Sequence, residues 1–401
     1  MKTNNNKRVF PDSIFVTVVF FAVLLPFFEP AYIEDCFPFL DTAVLLWKIV
    51  GICIISILVL RSYGFSLFVT SVAALHLLIV FVTILNSGNV LYAFKTFLYV
   101  VAICLAFDLC IKRDAVMFVS LIKWYFFIIL IISISTSALH PEGLYYSTTG
   151  VYSQLSSNDN AVRYFLGHKN GIVTFLIPGI LASVVSWLLS KQLKNMIFAL
   201  VFIVLATINA FIVDSATSLI ICIAIIMAML LSKMRLIQNS SPLIWIAAAL
   251  FLNLAIVFFH IQDFFIDLFG VMGRDATLSG RTIIWDWAIF WIEQNPLFGY
   301  GIENVIDSSS RFGFGVITSA HNILLTTLYH AGAIGLALLL VCIFLVCLKL
   351  KSSKSRIAAF LKIFISLLLI MGTVESLGIG LSVIIFPLLF AQSINYLAPS
   401  G

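Results

Sequence analysis

At 401 residues, with 62% hydrophobic and only 10% charged side chains, the chain is too apolar for a water-soluble fold, where about 25% of residues carry charge. Its net charge of +5 is small and follows from basic residues at inner loops, which anchor to anionic lipid; it does not indicate a nucleic-acid partner. The apolar runs are about 20 residues long, the length of a membrane-crossing helix, and lack the short alternating segments of a β-barrel. The sequence therefore predicts an all-α polytopic membrane protein with a single integral domain over residues 1–401 and no soluble domain.

The N-terminal "MKTNNNKRVF" is basic, but no small-residue cleavage site follows, so the first apolar run is read as a retained span. Twelve spans are expected, near 13–30, 42–60, 64–86, 89–111, 114–138, 170–190, 195–213, 215–232, 242–262, 321–348, 357–375 and 377–397. With the N-terminus inside, the inner loops hold fourteen basic residues and the outer loops five, so both termini are expected in the cytoplasm. The outer loop 29–41 carries Glu29, Glu34, Asp35 and Asp41 without a basic residue. Lys48, Lys95, Lys123 and Lys362 fall within spans, where snorkelling or helix packing accounts for them better than a transport path does. The seven cysteines include no CxxC pair and read as small buried hydrophobes.

Two outer loops are large, 139–169 and 263–320, and function is expected on their side of the membrane. They hold the five outer cations. Arg163 and Lys169 lie in "NAVRYFLGHKNGIV", and Arg274 and Arg281 in "GRDATLSGRTIIW". Arg311 stands apart and reads as solvated or paired with a nearby acid. Residues 281–294, "RTIIWDWAIFWIEQ", predict a helix capped by Ser279 or Gly280 and stopped at Asn295-Pro296. Too short and too charged to span, it fits an interfacial helix between spans 9 and 10, with Trp285, Trp287 and Trp291 at headgroup depth. Arg281 then sits at a helix N-terminus, where free N–H groups and the macrodipole favour an anion. The natural anion at that depth is a phosphate of a lipid-linked substrate, which the guanidinium fork matches.

His321, in "SAHNILLTTLYH", reads either as a satisfied interfacial histidine or as a general base kept neutral by neighbouring cations. Asn322 would orient it or bind a sugar hydroxyl, with Asn170 a second polar contact of that kind. His330 lies deeper and reads as structural. Glu375 and Asp214 are second-rank candidate bases. "NPLFGYG" (295–301) turns the loop back towards the membrane, and "AGAIG" (331–335) supplies small residues for close helix packing. There is no HExxH, P-loop, paired-carboxylate metal motif or nucleophile elbow, and no metal or cofactor is expected.

The ordered set "SGRTIIW…NPLFGYG…AHN…GAIG" resembles the signature of the bacterial O-antigen ligase and O-antigen or capsule polymerase superfamily. The resemblance is close over about 270–335 and looser at "VRYFLGHKN". It implies a GT-C-like membrane enzyme of the bacterial inner membrane, with its active site on the periplasmic side. The reaction would be metal-free, inverting transfer of an undecaprenyl-pyrophosphate-linked glycan to a sugar hydroxyl. Carried onto this chain, the phosphate contacts fall on Arg163, Arg274 and Arg281, with Lys169 at a variable place, and the reaction centre on His321. The family's usual Ser-Arg pair at the eighth span is replaced by "DSATSLI", with Ala216 at the arginine position. "GHKN" followed by Gly171 is closer to the polymerase branch, for which a chain-length regulator and a flippase would be partners. Transfer to lipid A–core, as in a ligase, is the alternative. A lipid or anion transporter is a third reading, against which the halves show no repeat.

Overall fold

In lipid, a peptide N–H or C=O is satisfied only by another group of the protein, so the apolar runs close into helices. Side-chain caps mark where several begin: Ser66, Asn89, Asp114, Ser215, Asn322 and Ser355 each accept a backbone N–H from two or three residues on. A computed structural model describes residues 11–61, 65–146, 162–259, 281–312, 319–373 and 384–398. Its helices are α1 (Asp12–Val19), α2 (Ala31–Cys36), α3 (Pro38–Arg61), α4 (Leu67–Leu85), α5 (Val90–Arg113), α6 (Ala115–Leu139), α7 (Val173–Ser190), α8 (Leu193–Ile212) and α9 (Ala216–Leu231). There follow α10 (Arg235–Asn239), α11 (Pro242–Phe259), α12 (Arg281–Gln294), α13 (Val305–Phe312), α14 (Ile323–Lys351), α15 (Arg356–Met371), α16 (Ile385–Gln392) and α17 (Ile394–Leu397). A two-stranded antiparallel ribbon, β1 (Tyr145–Tyr146) with β2 (Val162–Arg163), lies between α6 and α7.

The all-helical, polytopic class is as expected. Among the described residues, eight helices are long and apolar enough to cross a membrane. The expected count of about twelve is not confirmed, and parts of the expected spans 242–262, 357–375 and 377–397 lie outside the described residues. The first run, Asp12–Phe28, winds from α-helix through a π turn at Phe20–Leu24 to a 3-10 turn containing Pro26. Helix α9 has 16 residues, as does α15, and within 377–397 the described residues form only α16 and α17. Helix α15 lies at the centre, buried from Ile357 to Ser366, and packs against α11, α9 and α16.

Hydrogen bonds fix which helix ends share a side of the bundle. Arg356 at the head of α15 donates from Nε to Ser232 Oγ at the tail of α9 (3.3 Å). At the other end, the Ile323 N–H that opens α14 donates to the Gly372 carbonyl just past α15 (2.8 Å). The head of α9, the head of α14 and the tail of α15 therefore lie at one end, opposite the basic tail of α14 with Lys349 and Lys351. The four lysines of the spans all have local partners. Lys48 pairs with Glu29 at 2.9 Å, and Lys362 donates to the Ile237 and Ser240 carbonyls at 2.6 and 2.7 Å, closing the tail of α10. Lys95 and Lys123 lie over Tyr99 (5.6 Å) and Phe198 (4.8 Å).

Helix α14 is broken at Gly332, whose φ of 61° and ψ of −163° leave the helical region. A break there opens the bonds that Ala333 and Ile334 N–H would make to the Tyr329 and His330 carbonyls. The loop 296–301 replaces both halves of each. Tyr300 N–H donates to Tyr329 O (2.8 Å) and Gly301 N–H to His330 O (3.0 Å), while Ala333 N–H reaches Pro296 O (2.8 Å) and Ile334 N–H reaches Leu297 O (3.4 Å). The fit is close enough to require glycine. A Cβ on Gly332 would stand 2.1 Å from Leu297 O, and one on Gly299 would stand 2.4 Å from Tyr329 O. Non-helical backbone is tolerated at such a place because protein covers it. "NPLFGYG" and "AGAIG", read separately in the sequence, are two sides of one joint.

Candidate functional site

Helix α12 lies against α14 because its buried residues fall on one face. Ile284, Trp285 and Ala288 are spaced as one helical stripe and join Val257, Leu325, Tyr329 and Phe312 in a small core separate from the main one. This corrects the expectation for the tryptophans. Trp285 is only 1% exposed and belongs to that core. Trp291 is half-buried and donates its indole N–H to the Arg311 carbonyl (2.9 Å). Trp287, 38% exposed beside Phe290, has the exposure an interfacial anchor needs.

Arg281 is the first residue of α12; its expected caps, Ser279 and Gly280, lie outside the described residues. The packing of α12 on α14 brings it near His321. Burial and then the Arg281 charge lower the His321 imidazole from its ordinary range to about 4, so it is neutral at physiological pH. His321 has a left-handed φ of 46°, a conformation uncommon outside glycine, asparagine, aspartate and histidine. It is held there because Ala320 before it and Asn322 after it are both fully buried.

Asn322 does not have a side chain free for a sugar. Its Oδ1 accepts from Leu324 N–H (2.8 Å) and Leu325 N–H (3.0 Å), capping α14. Its Nδ2 donates to Asn253 Oδ1 (3.0 Å) and to Thr373 O (3.4 Å). All the bonds an asparagine side chain readily makes go to protein, and it acts on His321 only by fixing the turn.

A second group of polar residues lies at the same end, around the ribbon. Arg163 pairs in register with Tyr145, whose hydroxyl donates to Asp35 Oδ2 (2.6 Å). Lys169 pairs with Asp214 (3.4 Å), and both line a cleft of about 240 Å³ with Glu142, Tyr164, Pro141, Val162 and Val213. Asp214, with φ of 50°, makes the tight turn between α8 and α9 that the sequence predicts. The described lining of the cleft includes neither Arg281 nor His321. At this end of the bundle the Arg281 charge acts on His321, and the charges of Arg163 and Lys169 act on His168. Arg274 and Glu375 lie outside the described residues.

Two features were missed in the sequence. His168 sits between Arg163 and Lys169, and burial, reinforced by both cations, lowers it to about 4. Its Nδ1 accepts the Asn170 N–H (3.3 Å), which leaves the proton of the neutral ring on Nε2. The only signal was its place inside "GHKN". The other is Arg311. It does pair with an acid, Glu303 (3.1 Å), but the pair is built into the protein: the Glu303 side chain is only 7% exposed and also accepts from the Tyr329 hydroxyl. The guanidinium lies 3.9 Å from the Tyr300 ring centre and 4.9 Å from that of Trp291.

Compared with known proteins, residues 200–340 match a family model described as O-antigen ligase. No curated protein matches the chain. The matched stretch, about a third of the chain, runs from α8 through Arg281 and His321 to beyond the break in α14, and over it this protein is similar to O-antigen ligases.

Proposed function

We propose that the protein is a membrane glycosyltransferase that extends a lipid-linked glycan. Its donor is a glycan on undecaprenyl pyrophosphate, and its acceptor is a sugar hydroxyl of another lipid-linked repeat unit. The observation that carries this reading is that Arg281, at the head of α12, and His321, in the turn that opens α14, sit on two helices packed together within the stretch that matches the O-antigen ligase family. The acceptor oxygen attacks the anomeric carbon as the bond to the diphosphate breaks. The bonding pair leaves on the diphosphate, and the hydroxyl proton passes to His321. Arg281 at the head of α12 stabilises the charge of the leaving group. Because that charge offsets the guanidinium, substrate binding raises the basicity of His321 when a base is needed. Arg163, Lys169 and Arg274 are proposed as further diphosphate contacts, and Asn170 as a sugar contact. In this reading, both termini are cytoplasmic and the His321 end faces the periplasm, as the basic residues at the opposite end support.

The test is elongation of a purified lipid-linked repeat unit in nanodiscs. Wild type should give a glycan ladder, and Arg281→Ala and His321→Ala, inserted normally, should give none. Ladders from either variant contradict the proposal. Transfer only to lipid A–core would make the protein a ligase, and flux without a new glycosidic bond would make it a transporter.

A further inference from the structure

The half-buried ion pair of Arg311 and Glu303 touches α12, the loop 296–301 and α14, the elements that place Arg281 and His321. Arg311 Nε lies 3.1 Å from Glu303 Oε1 as an ion pair, and the other oxygen of that carboxylate accepts from Tyr329 of α14. The face of the guanidinium covers Tyr300, in the loop that braces the α14 break, and Trp291, on α12. The backbone completes the circuit. The Arg311 carbonyl accepts from the Trp291 indole (2.9 Å), the Tyr300 hydroxyl donates to the Trp291 carbonyl (3.0 Å), and the Tyr300 N–H donates to the Tyr329 carbonyl (2.8 Å). One arginine thus binds together a helix outside the spans, a loop and a spanning helix. A surface ion pair would do little of this; a planar guanidinium stacked on two rings and paired with a shielded carboxylate holds a plane and a direction that a lysine cannot.

Helix α12 lacks the length to cross the membrane and has a single buried stripe. That stripe sets which face meets α14 but leaves sliding along the axis weakly opposed. The cross-bonds from Trp291 and Tyr300 fix that freedom, and at the far end of the same helix the Arg281 charge acts on His321. We propose that Arg311 is a positioning residue that, through Glu303, Tyr329 and the Trp291–Tyr300 pair, locks α12 on α14 and so holds Arg281 at His321. Its part in catalysis rests on the glycosyl-transfer reading; its locking of α12 does not.

The test uses two mild variants in nanodiscs, Arg311→Lys, which keeps the charge, and Tyr329→Phe, which removes one hydroxyl. Amide deuterium exchange over 281–294 should speed up in both, by about 10-fold or more. Exchange in α5–α9 should stay at wild-type rates. With a lipid-linked repeat unit, kcat should fall by up to about 100-fold with little change in KM, the effect of slight misplacement. As Arg281 withdraws, the acid limb of kcat/KM should move to higher pH, which general loosening would not cause. Unchanged exchange over 281–294 in both variants overturns the proposal, as does lost activity with the acid limb in place. If exchange rises while Arg281→Ala and His321→Ala remain fully active, the lock stands and the glycosyl-transfer reading falls.

Discussion

Replacing Asn322 separates a structural asparagine from a sugar-binding one. Asn322→Ala removes a helix cap, which costs about 0.5–2 kcal/mol. It also strips Asn253 Oδ1 and Thr373 O of a donor in a site where Asn322 itself is fully buried, at about 1–3 kcal/mol for each orphaned group. The Asn253 amide cannot simply flip, because its Nδ2 already donates to Leu369 O (3.3 Å). The sum is a loss of about 3–8 kcal/mol. Asn322→Ser restores a capping oxygen but not the two donations, so it should recover about 1 kcal/mol. Asn322→Asp keeps the cap but faces two acceptors with a carboxylate, and should be worse than Ser. Thermal unfolding of the purified protein in detergent reads the series, with the order wild type, Ser, then Ala and Asp. An Asn322→Ala protein with wild-type melting and no transfer would refute this reasoning and return the side chain to the substrate.

Gly332→Ala should destabilise by about 3–6 kcal/mol, since a residue with a side chain is strained at φ 61° and its Cβ meets the Leu297 carbonyl; the same melting assay checks it. Lys48→Met should cost about 3–5 kcal/mol by leaving Glu29 buried without its partner, whereas Lys48→Met with Glu29→Leu should recover most of that loss, a contrast a double-mutant cycle measures. His168 and His321 are held neutral down to about 4 in the folded protein, but the unfolded chain takes up those protons near 6.5. Their contribution is therefore full above about pH 6.5 and lost as pH falls towards 4, about 1–3 kcal/mol each after allowing for partial exposure. Melting at pH 7.5 and pH 5 should differ accordingly, and substituting both histidines with asparagine should reduce the difference.

Helix positions were legible because burial in lipid demands long apolar runs, and most expected spans agree with observed helices to a few residues. The α12 boundaries were legible for a local reason, Pro296 after Asn295. What the sequence hid was pairing at a distance. Gly299 and Gly332 look like an ordinary turn and an ordinary packing site, and only their facing backbones show one joint. Composition could not tell an interfacial tryptophan from a core one, since both roles use the same indole; Trp285 and Trp287 differ only in which helix face meets α14. Arg311 looked incidental because Glu303, Tyr329 and Trp291 come to it from three elements. Arg281 and His321 were each visible as chemistry at a helix start, but their nearness depends on α12 lying along α14.

The most direct test of the account is the titration of the His321 imidazole, followed by NMR in histidine-labelled protein and assigned through His321→Asn. The account predicts a midpoint near 4 in wild type. Arg281→Gln, or added pyrophosphate, should move it upward towards the ordinary value of about 6.5. A midpoint that neither the substitution nor pyrophosphate moves would mean that Arg281 and His321 do not share a site.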